Sequence, residues 1–158
     1  MLFGVMAMTR IYPICISLIL LACATCPVQA EQAKIFGEYT VHYNAFTTNI
    51  LSPEIAKLYN ISRSNNRALL NISILKKAMG TTTKPVRARV NATATNMNAQ
   101  LHKLQVRELI EAGDPGAVYY LAETTVHNGD TLTYNISFSP EGDDQTYSFS
   151  FQQQFITE

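Results

Sequence analysis

The sequence predicts an all-β domain, a single antiparallel β-sandwich with one short helix, and three observations predict it. Apolar and polar residues alternate with a period of two through most of the chain after residue 38, the pattern of strands with one face buried. Clusters of turn-forming residues interrupt that alternation roughly every ten residues. No internal repeat and no Pro/Gly/Ser-rich linker divides the chain, whose 158 residues amount to about one domain. An immunoglobulin-like arrangement is one architecture that fits, although the Cys and Trp of true immunoglobulin domains are absent.

The first thirty residues read as an export leader. Arg10 supplies positive charge, Ile14 to Ala24 is an uninterrupted run of apolar and small residues, and Val28-Gln29-Ala30 is a small-x-small cleavage site. Cleavage after Ala30 is expected, leaving 31–158 as one sandwich domain. The run is too short to span a bilayer, which takes about 20 residues, so no transmembrane segment is expected after cleavage. Starting at Met8 rather than Met1 would give a compact leader. Cys15, Cys23 and Cys26 all precede Ala30, so the mature domain has no disulfide to form and depends on packing alone. Leu20-Leu21-Ala22-Cys23 offers an alternative, a lipobox that would make Cys23 a lipid anchor.

The strands follow in order. Tyr39, Val41 and Tyr43 share one face of a first strand that runs on through Phe46. Ser52-Pro53-Glu54 then supplies an N-cap, a proline at the first helical position and an acid in the first turn. Ile55, Leu58 and Tyr59 follow at helical spacing and Asn60 is the stop. Ala68 to Leu75 alternates again, with Leu70, Ile72 and Ile74 on one face. Gly80 to Pro85 is a loop. Val86, Ala88, Val90 and Ala92 alternate with Arg87, Arg89 and Asn91. Leu101 to Glu111 suits either a helix or a strand, and its all-β surroundings favour strand. Ala112 to Gly116 is a turn before a strand from Ala117 to Val126. His127-Asn128-Gly129-Asp130 has the Asn-Gly pair of a hairpin turn, returning as Thr131 to Ser139. Pro140 to Asp144 turns the chain into a last strand from Gln145 to Ile156.

Charge excludes some functions. The whole chain carries 12 Lys+Arg and 12 Asp+Glu, and loss of Arg10 with the leader leaves 11 against 12, a net of −1. Such a balance offers no basic face to nucleic acid or an anionic membrane. His42, His102 and His127 show no metal-ligand spacing, and the acids of Glu141-Gly142-Asp143-Asp144 are too short a run for a calcium loop. No metal and no cofactor is expected. No nucleophile elbow, phosphate-binding glycine loop or mature cysteine nucleophile is present, so no catalytic residue is assigned. An enzyme would have to assemble scattered groups, such as His42 with a Ser and an Asp.

The segment with most recognition chemistry is Tyr59 to Arg67, where Tyr59, Arg63, Asn65, Asn66 and Arg67 supply directional donors and acceptors. A planar guanidinium pairs with oxyanions at two points, which suits a loop for a carboxylate, phosphate or sugar. The alternative is a polar connection whose side chains cap backbone groups. Tyr39, Tyr43, Tyr119 and Tyr120 read as core and sheet-face packing. Four Asn-x-Ser/Thr triplets, at Asn60, Asn71, Asn91 and Asn135, read as coincidence, with Asn71 and Asn135 in strands.

The segments 36–46 (FGEYTVHYNAF), 59–77 (YNISRSNNRALLNISILKK), 96–111, 117–123 (AVYYLAE) and 151–158 (FQQQFITE) resemble a family of uncharacterised proteobacterial periplasmic proteins known only as a domain of unknown function. Asn98-Ala99-Gln100 departs from it, where Gly is expected before Gln100. The resemblance implies a Gram-negative source, a periplasmic address and an all-β fold, and it transfers no site residue. Together these readings favour a periplasmic, non-enzymatic binding or accessory protein acting on a protein, peptide, envelope component or small ligand. A hydrolase-like enzyme with an unrecognised site and a lipid-anchored envelope assembly factor are the rivals.

Overall fold

The structure, a computed structural model, describes residues 32–157 apart from 79, 81, 114 and 115. The leader, its cleavage site, Cys23 and the start at Met8 lie outside the described residues, as does the centre of the turn at Asp114-Pro115.

Strands account for nearly all the regular structure: β1 (Gln32–Phe36), β2 (Tyr39–Thr47), β3 (Arg67–Lys77), β4 (Thr83–Pro85), β5 (Ala88–Thr95), β6 (Leu101–Lys103), β7 (Arg107–Glu111), β8 (Ala117–Thr125), β9 (Thr131–Pro140) and β10 (Tyr147–Gln154). One sheet has the order β1-β2-β3-β8-β7, with β4 also on β3, and the other has the order β10-β9-β5-β6. Neighbouring strands are antiparallel. Setting β1 and β4 aside, β2-β3-β8-β7 faces β10-β9-β5-β6 as A-B-E-D faces G-F-C-C′, the strand order of the immunoglobulin fold.

Alternation builds the core between the sheets. Val41, Leu70, Ile72 and Ile74 point inward from one sheet and Tyr134, Ile136 and Phe138 from the other, and all are buried. Each of the aliphatic and phenylalanine side chains contributes about 1.5–3 kcal/mol on burial. Aromatic rings fill one side, with Tyr43 and Phe151 centroids 4.7 Å apart and Phe36 edge-on to Phe138 at 5.4 Å. Lys34 of β1 donates to the Ser150 carbonyl of edge strand β10 at 3.0 Å, so a charged side chain blunts that open edge.

Among the described residues there is one α-helix, α1 (Pro53–Leu58), and it begins as its residues dictate. Ser52 Oγ accepts from Ile55 N–H at 3.3 Å and Pro53 opens the first turn. Asn60 ends it with a positive φ of 51°, a conformation asparagine tolerates better than most residues. Six residues are too few for a helix to persist alone, and buried Ala56 and Ile61 hold it on the sheet.

Four details differ from expectation. β1 was not anticipated, because its Ile35 faces outward, 73% exposed, and hides the alternation. The loop before Val86 contains the short strand β4. Leu101 to Glu111 is not one strand but two, β6 and β7, in different sheets; Leu104 between them turns into the core and its N–H donates to Ala92 O at 3.0 Å. The Asn-Gly turn is a turn, with Asp130 N–H on His127 O, but β8 and β9 belong to different sheets. It is a corner between sheets, secured to the C-terminal segment by Gly129 N–H to Phe155 O and Phe155 N–H to Asp130 O. Local turn chemistry specifies a bend and leaves the pairing partner open. The turn at Pro140 to Asp144 does join paired strands, since Tyr147 lies opposite Phe138.

Candidate functional site

Strand alternation sends a second set of side chains to the outer face of the larger sheet. Phe46 of β2, Leu69 and Asn71 of β3, Tyr119 and Leu121 of β8, and Leu109 and Glu111 of β7 share that face. A 3₁₀ turn (Thr48–Ile50), α1 and the following residues fold over part of it, so that Leu51, Ile55, Tyr59 and Ile61 form an opposite wall. The result is a groove of about 210 Å³ with a mainly apolar lining. Ile61 of that wall packs with Leu69 and Leu121 of the floor, and all three are buried.

A latch holds the wall. Thr48, fully buried, donates from Oγ1 to Ser62 O at 2.8 Å and accepts from Ser64 N–H at 2.9 Å. The 3₁₀ turn is thereby tied to the far end of the α1 segment.

Polar groups sit at defined points around the apolar floor. Tyr59 OH donates to Glu111 Oε1, bridging the wall to β7. That bond, and secondarily burial, raises the tyrosine's pKa. Asn71 Oδ1 is buried within the lining and has no hydrogen-bond partner among the described residues. Beside Leu69 and Leu121, two guanidinium groups share one carboxylate: Arg67 Nη1 lies 3.2 Å from Glu123 Oε2 and Arg107 Nη2 lies 3.8 Å from Glu123 Oε1.

The structure does not bring the five residues expected to form a recognition loop together at one place. Tyr59 and Arg67 reach the groove and its flank. Arg63 is exposed and donates from Nη2 to Asn49 O at 2.8 Å, tying the loop to the 3₁₀ turn. Asn65 is exposed in a tight turn. Asn66 serves through its backbone, with N–H on Ser64 Oγ at 3.1 Å and O accepting from Val126 N–H at 3.0 Å.

Asn71, Arg107, Leu109, Glu111 and Glu123 were not foreseen. A signal for part of this was present. Alternation breaks into continuous apolar runs at Ala68-Leu69-Leu70 and Val118 to Ala122, as expected of strands covered on both faces.

A larger polar cleft, about 560 Å³, lies where the β9–β10 turn faces Arg87 and Glu108. Two of its charges, Arg87 and Glu108, satisfy one another. Arg87 donates twice to Glu108, at 3.1 and 2.7 Å, and Tyr120 OH donates to Glu108 Oε1 at 3.1 Å. The guanidinium holds the Glu108 carboxyl below the usual carboxylate range, and burial pushes the Tyr120 hydroxyl up to about 12. Asp143 accepts from Gln145 N–H at 2.9 Å, the bond of a side chain closing its own turn. His42 lies opposite Ser73 in register, His102 is exposed in β6, and His127 Nδ1 is 3.3 Å from Asp130 Oδ2. Among the described residues no three His, Cys, Asp or Glu side chains are grouped to hold a metal ion.

The family model described as "Domain of unknown function (DUF4426)" matches residues 33–158. The chain belongs to the DUF4426 family. That membership bears out the resemblance carried by the 36–46, 59–77 and 151–158 segments. A crystal structure of a DUF4426 family protein from Pseudomonas aeruginosa PAO1 is 29% identical, with a TM-score of 0.69 over 83% of this chain and 98% of that chain. The FetP protein of uropathogenic E. coli strain F11 shares the fold alone, at 9% identity and a TM-score of 0.55 over 80% of this chain and 94% of that one. No curated protein matches the chain. Among the described residues of this DUF4426 chain no helix is long and apolar enough to cross a membrane.

Proposed function

We propose that this DUF4426 protein is exported to the periplasm and serves there as a non-enzymatic binding or accessory protein, its ligand entering the groove between α1 and the outer face of the larger sheet. Arg10, the apolar run to Ala24 and Val28-Gln29-Ala30 support export. One observation carries the choice of site, the buried Asn71 Oδ1 without a partner among the described residues, inside an apolar lining. Such an acceptor costs about 1–3 kcal/mol when left unpaired, and a ligand that brings an N–H or O–H donor removes that cost. A concave apolar surface with a few fixed polar groups is the usual form of a binding site.

The test is amide-shift mapping of residues 31–158 by NMR during titration with N-acetyl-leucinamide, an uncharged probe with an apolar side chain and amide donors. Saturable shifts at Leu69, Leu109, Tyr119 and Leu121, reduced in Asn71→Leu, are expected. Shifts confined to the Arg87–Glu108 cleft, or none, overturn the assignment.

A further inference from the structure

The groove carries opposite charges at its two ends, and their spacing identifies what it fits. On β7, Arg107, Leu109 and Glu111 face the same side. Arg107 lies opposite Leu121, Leu109 opposite Tyr119 and Glu111 opposite Ala117, so the groove floor separates the two charges. Four residue steps along a strand place Arg107 and Glu111 about 13 Å apart.

The two ends differ in surplus charge. At one, Arg67 and Arg107 share the single carboxylate of Glu123, leaving one positive charge in excess. Neither arginine has another hydrogen-bond or ion-pair partner among the described residues. At the other, the one hydrogen bond to the Glu111 carboxylate among the described residues comes from the neutral Tyr59 hydroxyl, leaving one negative charge in excess. Between them lie Leu109 and Tyr119, with Leu121 and the Asn71 oxygen, unpartnered among the described residues, level with Arg107.

Resting on the groove reading above, we infer that the ligand is a short free peptide of about four residues with apolar side chains. It lies along β7 with its terminal carboxylate on Arg67 and Arg107 and its terminal ammonium on Glu111. An extended chain of four residues reaches about 13–14 Å, matching the separation of the charges. Guanidinium groups bind a carboxylate by charge-assisted hydrogen bonds, and complementary charge at both ends fixes the direction of the chain. Asn71 stands opposite Leu121 as Arg107 does, so its Oδ1 marks the carboxylate end of the groove. An apolar anion such as a fatty acid satisfies the arginine end and leaves Glu111 without a counter-charge, so the peptide is the occupant that uses both ends.

Residues 31–158 are titrated with Ala-Leu-Leu-Ala in four forms: free, N-acetylated, C-amidated and blocked at both ends. The free peptide is expected to bind about tenfold more tightly than the doubly blocked one, which corresponds to about 1.4 kcal/mol, with each single block costing about threefold. Arg107→Gln should abolish the penalty of amidation and keep that of acetylation, Arg107→Lys should restore part of it, and Glu111→Gln should do the reverse of Arg107→Gln. Unchanged thermal midpoints in these variants confirm that the losses are of binding.

Equal affinity of all four peptides, with shifts still at Leu109 and Tyr119, overturns the peptide-end assignment while the groove reading stands. A penalty from amidation alone makes the occupant an apolar anion, which also overturns it. No shifts at those residues with any peptide removes both readings.

Discussion

Tyr134 and Phe151 stack in the sandwich core, ring centroids 5.1 Å apart and planes at 18°, and the Tyr134 hydroxyl is buried without a hydrogen-bond partner among the described residues. The ring fills its space and the oxygen has lost water without replacing it, a loss of about 1–3 kcal/mol. Tyr134→Phe keeps the stack and removes the orphan. The expected outcome is a gain of about 1 kcal/mol, read as a thermal midpoint higher by about 3–5 °C. A midpoint that falls means that the hydroxyl has a partner.

Thr48 is the opposite case, a buried hydroxyl that both donates, to Ser62 O, and accepts, from Ser64 N–H. Thr48→Val preserves shape and leaves Ser62 O and Ser64 N–H unpaired, so a loss of about 1–3 kcal/mol is expected in denaturant unfolding. Thr48→Ser should recover most of it. The groove wall loosens with the latch, so amide exchange at Ala56 and Ile61 should speed up in Thr48→Val by more than global destabilisation accounts for.

Exposure separates the two loop arginines from that latch. Arg63→Ala and Arg67→Ala should each stay within about 0.5 kcal/mol of the parent, as exposed substitutions do. Only Arg67→Ala should weaken binding of the free peptide, because Arg63 is turned toward Asn49 O. Equal effects of the two on binding would restore the loop as a single site.

Much of the fold was legible because the signals are local. The alternation of Tyr39, Val41 and Tyr43 and the Ser52-Pro53-Glu54 start each depend on a few neighbouring residues, and both form as expected. Sheet membership is not local. Leu104 diverts the chain from one sheet to the other inside a stretch that reads as one strand, and the Asn-Gly corner serves a crossing where a hairpin was expected. The site is less legible still, since Tyr59 and Glu111 are 52 positions apart. Leu69, Leu109 and Leu121 look like any core leucine until the second covered face is known.

Arg87 and Glu108 make pH a probe of the polar cleft. The folded carboxyl titrates below its ordinary value, chiefly through Arg87, which means that the unfolded chain binds its proton at higher pH than the folded one. The contribution is therefore complete above the ordinary carboxylate value of about 4.3 and is lost as pH falls through the lower, folded value. Glu108→Gln should lower the midpoint most near neutrality, and the gap to the parent should close on acidification below about pH 4. A gap that is constant across pH would mean that the side chain matters through packing alone.

Ala99 stands where the sequence reading expects glycine, and its backbone conformation is one that glycine favours. It has φ of 60°, in the left-handed region that L-residues with a Cβ enter at a cost of roughly 1–2 kcal/mol. The surrounding turn holds it there: Asn96 Oδ1 accepts from the N–H groups of Asn98 and Gln100, both at 3.0 Å, and Ala99 N–H donates to Asn96 O at 3.0 Å. Those bonds fix the loop between β5 and β6 whatever residue occupies position 99. Glycine relieves the strain but gives the unfolded chain more freedom, which returns about 0.4–1 kcal/mol. The first effect exceeds the second, so Ala99→Gly should stabilise the domain by up to about 1 kcal/mol. Chemical denaturation should register this as a higher midpoint with an unchanged slope. A lower midpoint would mean that the alanine methyl makes contacts worth more than the backbone strain. Asn96→Ala distinguishes the two, since loss of the turn's acceptor frees residue 99 to leave the left-handed region and should erase the benefit of glycine.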